Sequence, residues 1–151
     1  MRRGELNFVN GNSKSAMQLF EAAIDFAPKT LKIYESYAYH LVRYGNDAKK
    51  AEKLLKKLLN EKDLGTETVY VVAYVYASLK QYEKALNFID NKINELHYIA
   101  EITDLRGDVL FWMNDLENAL EFWNLAIERN SRNIKLSNKI EEKTYYAPVY
   151  L

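Results

Sequence analysis

Glu101, Asp104 and Asp108 are spaced i, i+3, i+7, so on a helix all three carboxylates share one face. Such a face can meet a hard cation or receive a basic partner. Oxygen-rich cation sites draw about six or more ligands, so a solvated acidic face is favoured over a metal site. The histidines, His40 and His97, stand far apart with no HExxH or paired-histidine spacing around them. Cysteine is absent, which removes disulfides, thiolate nucleophiles and cysteine–zinc sites together and leaves the redox compartment open. The five glycines form no phosphate loop, dinucleotide fingerprint or nucleophile elbow. The residues therefore predict no enzyme, no cofactor and no metal, and leave binding as the class of activity.

Composition narrows what is bound. Twenty-one basic residues balance twenty-one acidic ones, so no field of one sign attracts phosphate backbones or an anionic membrane surface. Nucleic acid becomes a minority reading. The content is 48% hydrophobic and 28% charged, ordinary for a globular chain and too apolar for disorder. No apolar run of about eighteen residues occurs, and no apolar stretch follows Arg2 and Arg3, so neither a membrane span nor a signal peptide is expected. The compartment stays unassigned.

The elements that must position these residues are set by a repeat. Ala16, Ala51, Ala85 and Ala119 stand 35, 34 and 34 residues apart. Four residues after each come Phe20, Leu55, Ile89 and Trp123; eight after come Ile24, Leu59, Ile93 and Ile127; twelve before come Gly4, Tyr39, Ala73 and Gly107. A period in the low thirties with few glycines and prolines predicts stacked helix pairs. The alanine lets two helices approach closely, and a larger residue there would cost roughly 1–3 kcal/mol in overpacking. Helices are predicted over 2–10, 13–26, 31–44, 47–60, 66–79, 81–95, 98–113, 115–130 and 133–144. Asp115 is a natural N-cap, Asn12 or Ser13 fills that role in the first copy, and Pro28 ends the first unit. Leu136 and Ile140 give the last helix one narrow apolar stripe, which suits a terminal cap.

These positions resemble the tetratricopeptide repeat. Gly4, Ala16, Phe20, Ala23 and Pro28 match its pattern in the first copy, and Gly107, Ala119, Trp123 and Ala126 match in the fourth. The middle copies depart from it: Leu58 and Lys92 replace one alanine, and Asp63 and His97 replace the proline. Glu35, Thr103 and Arg106 stand where that family usually has apolar residues. The resemblance implies an all-α, right-handed α-α superhelix of four helix pairs plus a cap. It forms one solenoid over 1–144, with repeats at about 1–30, 31–64, 65–98 and 99–132, and an apolar tail at 145–151. It also implies a non-catalytic scaffold that binds a protein or peptide along the first helix of each pair. The groove positions so implied include Ser36, His40, Arg43 and Tyr44, then Tyr70 and Tyr74, then Glu101, Asp104, Asp108, Phe111 and Trp112. Of these, Tyr70, Tyr74 and Asp108 are expected to be at least partly open to solvent.

One branch of the family grips a terminal carboxylate with basic and amide side chains. In the two possible registers those positions hold Met1, Glu5, Tyr37, Glu67 and Val71, or Ser36, His40, Val71, Glu101 and Leu105, which cannot build that clamp. Lys49, Lys53, Lys56 and Lys57 form a basic stripe on a second helix, read as a solvated outer face. A helical-repeat RNA binder would need such a lining inside its groove. The other alternative is a structural or oligomerisation spacer whose groove is filled by its own or a neighbour's chain.

Both ends carry expectations. Met1 falls at about the fifth position of its repeat, which predicts the C-terminal piece of a longer array, or self-association through the open end. The stretch from Gly107 to Trp112 followed by Ala119 to Trp123 is also similar to the closing repeat of large bacterial tetratricopeptide proteins, many of them in the cell envelope. The tail, Tyr145 to Leu151, is apolar and uncharged, and is expected to dock on the solenoid or in the groove of a second copy.

Overall fold

The structure is a computed structural model that describes residues 1–93 and 99–147. Among them nine helices and no strands occur: α1 (Arg2–Val9), α2 (Ser13–Phe26), α3 (Leu31–Arg43), α4 (Ala48–Leu59), α5 (Thr66–Ser78), α6 (Tyr82–Ile93), α7 (Ala100–Trp112), α8 (Leu116–Glu128) and α9 (Leu136–Glu142). The all-α expectation holds, and each predicted helix is present within a few residues of its predicted ends. His97 lies outside the described residues.

Contacts divide the chain into two compact units, Met1–Leu79 and Lys80–Leu151. In unit 1, α1 pairs with α2 and α3 with α4, while α1, α3 and α5 pack in sequence. In unit 2, α7 and α8 form the tightest pair, α6 lies against α7, and α9 lies against α8.

A conformational rhythm repeats with the alanines. Gly11, Asn46, Lys80 and Asn114 each have positive φ, at 79°, 49°, 60° and 63°. Each sits in the turn between two consecutive helices. Glycine and asparagine tolerate this left-handed conformation, and Lys80 is the costly member of the four. Past this turn, Asp47 accepts a hydrogen bond from Lys50 N at 2.9 Å, and Asp115 accepts one from Asn118 N at 3.3 Å, so both cap their helices. The first copy differs from expectation. Asn12 stands at the N-cap without a side-chain cap bond, and its backbone carbonyl accepts from Ala16 N at 2.9 Å.

All four repeating alanines are fully buried, as are Phe20, Leu55, Ile89 and Trp123 one turn later. Three of the residues eight beyond the alanines are not core. Leu59 and Ile127 are 39% and 42% exposed, and Ile24 is half-buried. Position +8 has rotated about 80° from the alanine on an ideal helix, which carries it towards the edge of the buried face.

Large rings fill the space that small residues leave. A Cβ added to Gly4 would lie 2.9 Å from the Phe20 ring, and one added to Gly107 would lie 2.6 Å from Trp123 Nε1. Phe20 in turn stacks on Tyr37 at 4.8 Å, with ring planes 1° apart. In unit 2, Trp123 joins Ala119, Ala126 and Leu136 in the core beneath Leu110, Phe111, Leu116, Leu120 and Ile140. Helix α5 is buried continuously from Thr68 to Ala77, which its valine and tyrosine content permits.

This packing makes a direct prediction. Gly107→Ala and Ala119→Leu should each lower stability in a denaturant titration by roughly 1–3 kcal/mol, through overpacking against Trp123 and α7. Lys53→Ala, on the exposed face of α4, should leave the midpoint within about 0.5 kcal/mol. Equal, negligible effects at all three sites would remove the close-approach argument.

Candidate functional site

The acidic stripe on α7 is a buried ion cluster. Asp104 and Asp108 are each 2% exposed and Lys139 of α9 is fully buried. Lys139 Nζ donates to Asp104 Oδ1 at 2.7 Å and to Asp108 Oδ1 at 2.6 Å. Asn133 Nδ2 donates to Asp104 Oδ2 at 2.8 Å, and Trp123 Nε1 donates to Asp108 Oδ1 at 3.0 Å. The Lys139 ammonium also lies over the rings of Trp123 and Tyr145, at 5.7 and 5.3 Å. At the two ends of the stripe, Glu101 accepts from Arg132 Nε at 3.0 Å, and Trp112 meets Tyr145 edge-on at 4.9 Å.

Glu101, Asp104, Asp108 and Trp112 thus face the chain's own C-terminal segment. This corrects the expectation that Asp108 is open to solvent. Helix α9 brings a cation to the carboxylates, while its apolar stripe packs into the core beside Ala119, Trp123 and Ala126. The cation was legible in part: Lys139 lies three residues after Leu136 and one before Ile140, on the stripe read as apolar. Of the tail, Tyr145 meets Trp112 and lies beside the Lys139 ammonium. Residues 148–151 lie outside the described residues.

Two carboxylates sharing one ammonium leave an excess negative charge in a dry place. Burial accordingly pushes the Asp108 carboxyl up to about 8, against the pull of Lys139 and with a further push from Asp104. Phe111 packs on Trp123 at 5.7 Å, so it supports the core from its rim.

Unit 1 presents a different surface. Tyr70 and Tyr74 are 3% and 6% exposed, and Ser36 and His40 are buried as well. The expected openness of the two tyrosines is therefore also corrected. Helices α3 and α5 lie side by side, and Tyr74 packs against Tyr39 at 5.7 Å with Tyr70 behind it at 6.1 Å. The series continues through His40, edge-on to Tyr39 at 5.2 Å, to Tyr44, stacked on His40 at 5.7 Å. Arg43 covers the Tyr44 ring at 4.8 Å. Both Arg43 and Tyr44 remain part-exposed, and they are the members of this series that solvent reaches.

Polar groups on α3 are mostly satisfied. Ser36 Oγ donates to Glu5 at 2.5 Å, and His40 Nδ1 lies 2.7 Å from the Ser36 carbonyl oxygen. Burial lowers the His40 pKa, while the Ser36 carbonyl and Glu5 oppose that shift. A serine and a histidine one turn apart on one helix, each tied locally, are not arranged as nucleophile and base. Glu35 accepts from Thr68 and pairs with Lys32, so a charged residue at an apolar repeat position is held by polar partners. Thr103 accepts from Arg129, and Arg106 pairs with Asp90, to the same effect. Among the described residues no cluster of acids and histidines is placed to hold a metal ion, and no helix is long and apolar enough to cross a membrane.

Comparison with known proteins agrees with this architecture. The family described as a tetratricopeptide repeat-like domain matches residues 37–144. A TPR repeat-containing protein of Methanocaldococcus jannaschii is 33% identical over 86 residues. That match covers 55% of this chain and 14% of the relative, so the chain spans a small part of the relative's length.

The ion cluster predicts a pH dependence. Asp108 ionises near 3.8 when unfolded and keeps its proton up to about 8 when folded. Between those values the folded chain binds the additional proton, so the stability tied to it is complete below the lower value and is lost as pH rises through the upper one. Denaturation midpoints measured from about pH 5 to about pH 9 should fall in the native chain and stay flatter in Asp108→Asn, whose amide mimics the neutral acid. Lys139→Ala should cost about 3–5 kcal/mol, because it strands buried carboxylates. Parallel pH profiles for the native chain and Asp108→Asn would show that this carboxyl does not titrate in that range.

Proposed function

We propose, on the premise that the chain belongs to the tetratricopeptide repeat-like family, that it holds a segment of a partner protein on the α3 face of unit 1 and performs no reaction of its own. Members of that family generally mediate protein–protein interaction. What supports this placement is the aromatic series from Tyr70 through Tyr74, Tyr39 and His40, which ends in part-exposed Tyr44 beneath Arg43. Rings fixed by their neighbours lose little entropy on binding, and tyrosine and arginine are the side chains that tend to dominate interface energies. Ser36, His40, Tyr70 and Tyr74 serve in this reading as the rigid wall behind the contact. Arg43 and Tyr44 make the contact itself.

The α7 stripe takes a separate role. Glu101, Asp104, Asp108 and Trp112 already engage Arg132, Asn133, Lys139 and Tyr145, which favours closure of unit 2 by its own C-terminal segment over capture of a partner there.

Selection of displayed random peptides on the full chain tests the reading. Tyr44→Ala should weaken the selected peptides by about tenfold or more, the loss expected at an interface anchor. Lys53→Ala should leave them unchanged. Peptides indifferent to Tyr44→Ala, or no selectable peptide at all, would overturn the assignment of this face.

A further inference from the structure

Helices α3 and α5 each turn one face towards the helices before them. In α3 that face is Ser36, Tyr37 and Leu41. Ser36 bonds to Glu5 of α1, Tyr37 lies against the rings of Phe8 and Phe20 at 6.3 and 4.8 Å, and Leu41 is fully buried. Counted at the alanine intervals, the corresponding residues are Tyr70, Val71 and Val75 in α5, and Asp104, Leu105 and Val109 in α7. Every one of them is buried. At α1 the corresponding residues are Met1, Arg2 and Leu6, and all three are exposed. Met1 is 44% open, Leu6 55% and Val9, less than one turn further on, 54%. Arg2, Leu6 and Val9 are spaced i, i+4, i+7, so they form one stripe with Met1 beside it. A position that is dry in three copies is thus wet in the first, at the centre of an apolar patch.

Arg2 decides what this face can take. Tyr37, Val71 and Leu105 hold its place in the later copies, where a guanidinium would be buried without a partner. A helix pair stacked here in the manner of the later copies would bury Arg2 in that way. A second α1 laid antiparallel leaves it at the rim. Leu6 then meets Leu6 of the other copy on a two-fold axis, and the Arg2 arm covers the other copy's Val9. The charged end of Arg2 reaches the C-terminal end of that helix, whose carbonyl dipoles are negative. Antiparallel order also keeps Arg2 and Arg3 of the two copies apart. The last pair offers α1 no seat, because α9 packs on α8 and Lys139 ties it to α7.

We propose that the exposed face of α1 is a homodimer contact, in which two copies of this chain pair antiparallel through Leu6 and Val9. It uses a different face from the α3 contact, and neither reading depends on the other. An eight-residue helix is about 12 Å long, so the contact is small and the association weak, with a dissociation constant on the order of tens to hundreds of micromolar.

Sedimentation equilibrium of the full chain, up to about 1 mM, should show the mass rising towards that of two chains and no further. Leu6→Glu should hold it at one chain with unchanged helical content, since the side chain it replaces stands in solvent. Lys53→Glu should dimerise as the native chain does. The sequence has no cysteine, so cross-linking gives an independent reading that does not require Leu6→Glu to fold. A short bis-maleimide should join two Leu6→Cys chains about tenfold faster than two Lys53→Cys chains. It should also join Arg2→Cys to Val9→Cys faster than either to itself. A chain that stays single throughout, a dimer that Leu6→Glu leaves intact, or masses that climb past two chains would each overturn the pairing. So would Leu6→Cys chains that cross-link no faster than Lys53→Cys chains, or Arg2→Cys chains that prefer each other.

Discussion

Close approach of two helices at a fully buried alanine, with a large side chain one turn later, is the contact on which the other features depend. In unit 2 that contact is Ala119 against α7, with the Trp123 indole laid where Gly107 has no Cβ. Once the indole lies there, its N–H is buried and must find an acceptor, because a stranded donor costs about 1–3 kcal/mol. Asp108, one residue beyond the glycine, supplies that acceptor at 3.0 Å. The buried carboxyl group lies beside Asp104, and Lys139 brings from α9 the one cation that the pair shares. A steric decision at two small residues thus propagates into an electrostatic one some thirty residues later in the chain.

The same chain of necessity explains the function of α9. Its apolar contribution is small, since Leu136 is buried and Ile140 only partly so. Apolar contact alone would fix the position of a seven-residue helix weakly. The paired bonds from Lys139, the Asn133 amide on Asp104 and the Arg132–Glu101 pair specify its position. Buried ion clusters contribute little net stability compared with well-packed apolar residues, but they penalise misplacement strongly, because each displaced group leaves another unpaired.

Much of the fold was legible because it rests on periodic small residues and local turn chemistry. Ala16, Ala51, Ala85 and Ala119 recur at a nearly fixed interval, and Asp115 caps the helix that follows it. The orientation of side chains on the first helices was less legible. Spacing placed Glu101, Asp104 and Asp108 on one face, and they do share it, but spacing does not say what lies opposite. Lys139 stands 31 and 35 residues from its two partners, beyond the reach of any local pattern. Tyr70 and Tyr74 were misjudged for a related reason. Tyrosine suits a wet groove and a dry contact equally well, and Tyr39 on the neighbouring helix decides between them.

In both units, polar groups on α3 and α7 are matched by partners 31 to 35 residues away in the chain. On α7 every charged member of the stripe is matched within the chain, down to both oxygens of Asp104. On α3, Ser36 donates to Glu5 of α1, Glu35 accepts from Thr68 of α5, and the Tyr39 hydroxyl is hydrogen-bonded with Arg43 one turn on. About one repeat length separates the members of each such distant pair, so the period that brings the alanines together also brings polar groups of successive repeats within bonding reach.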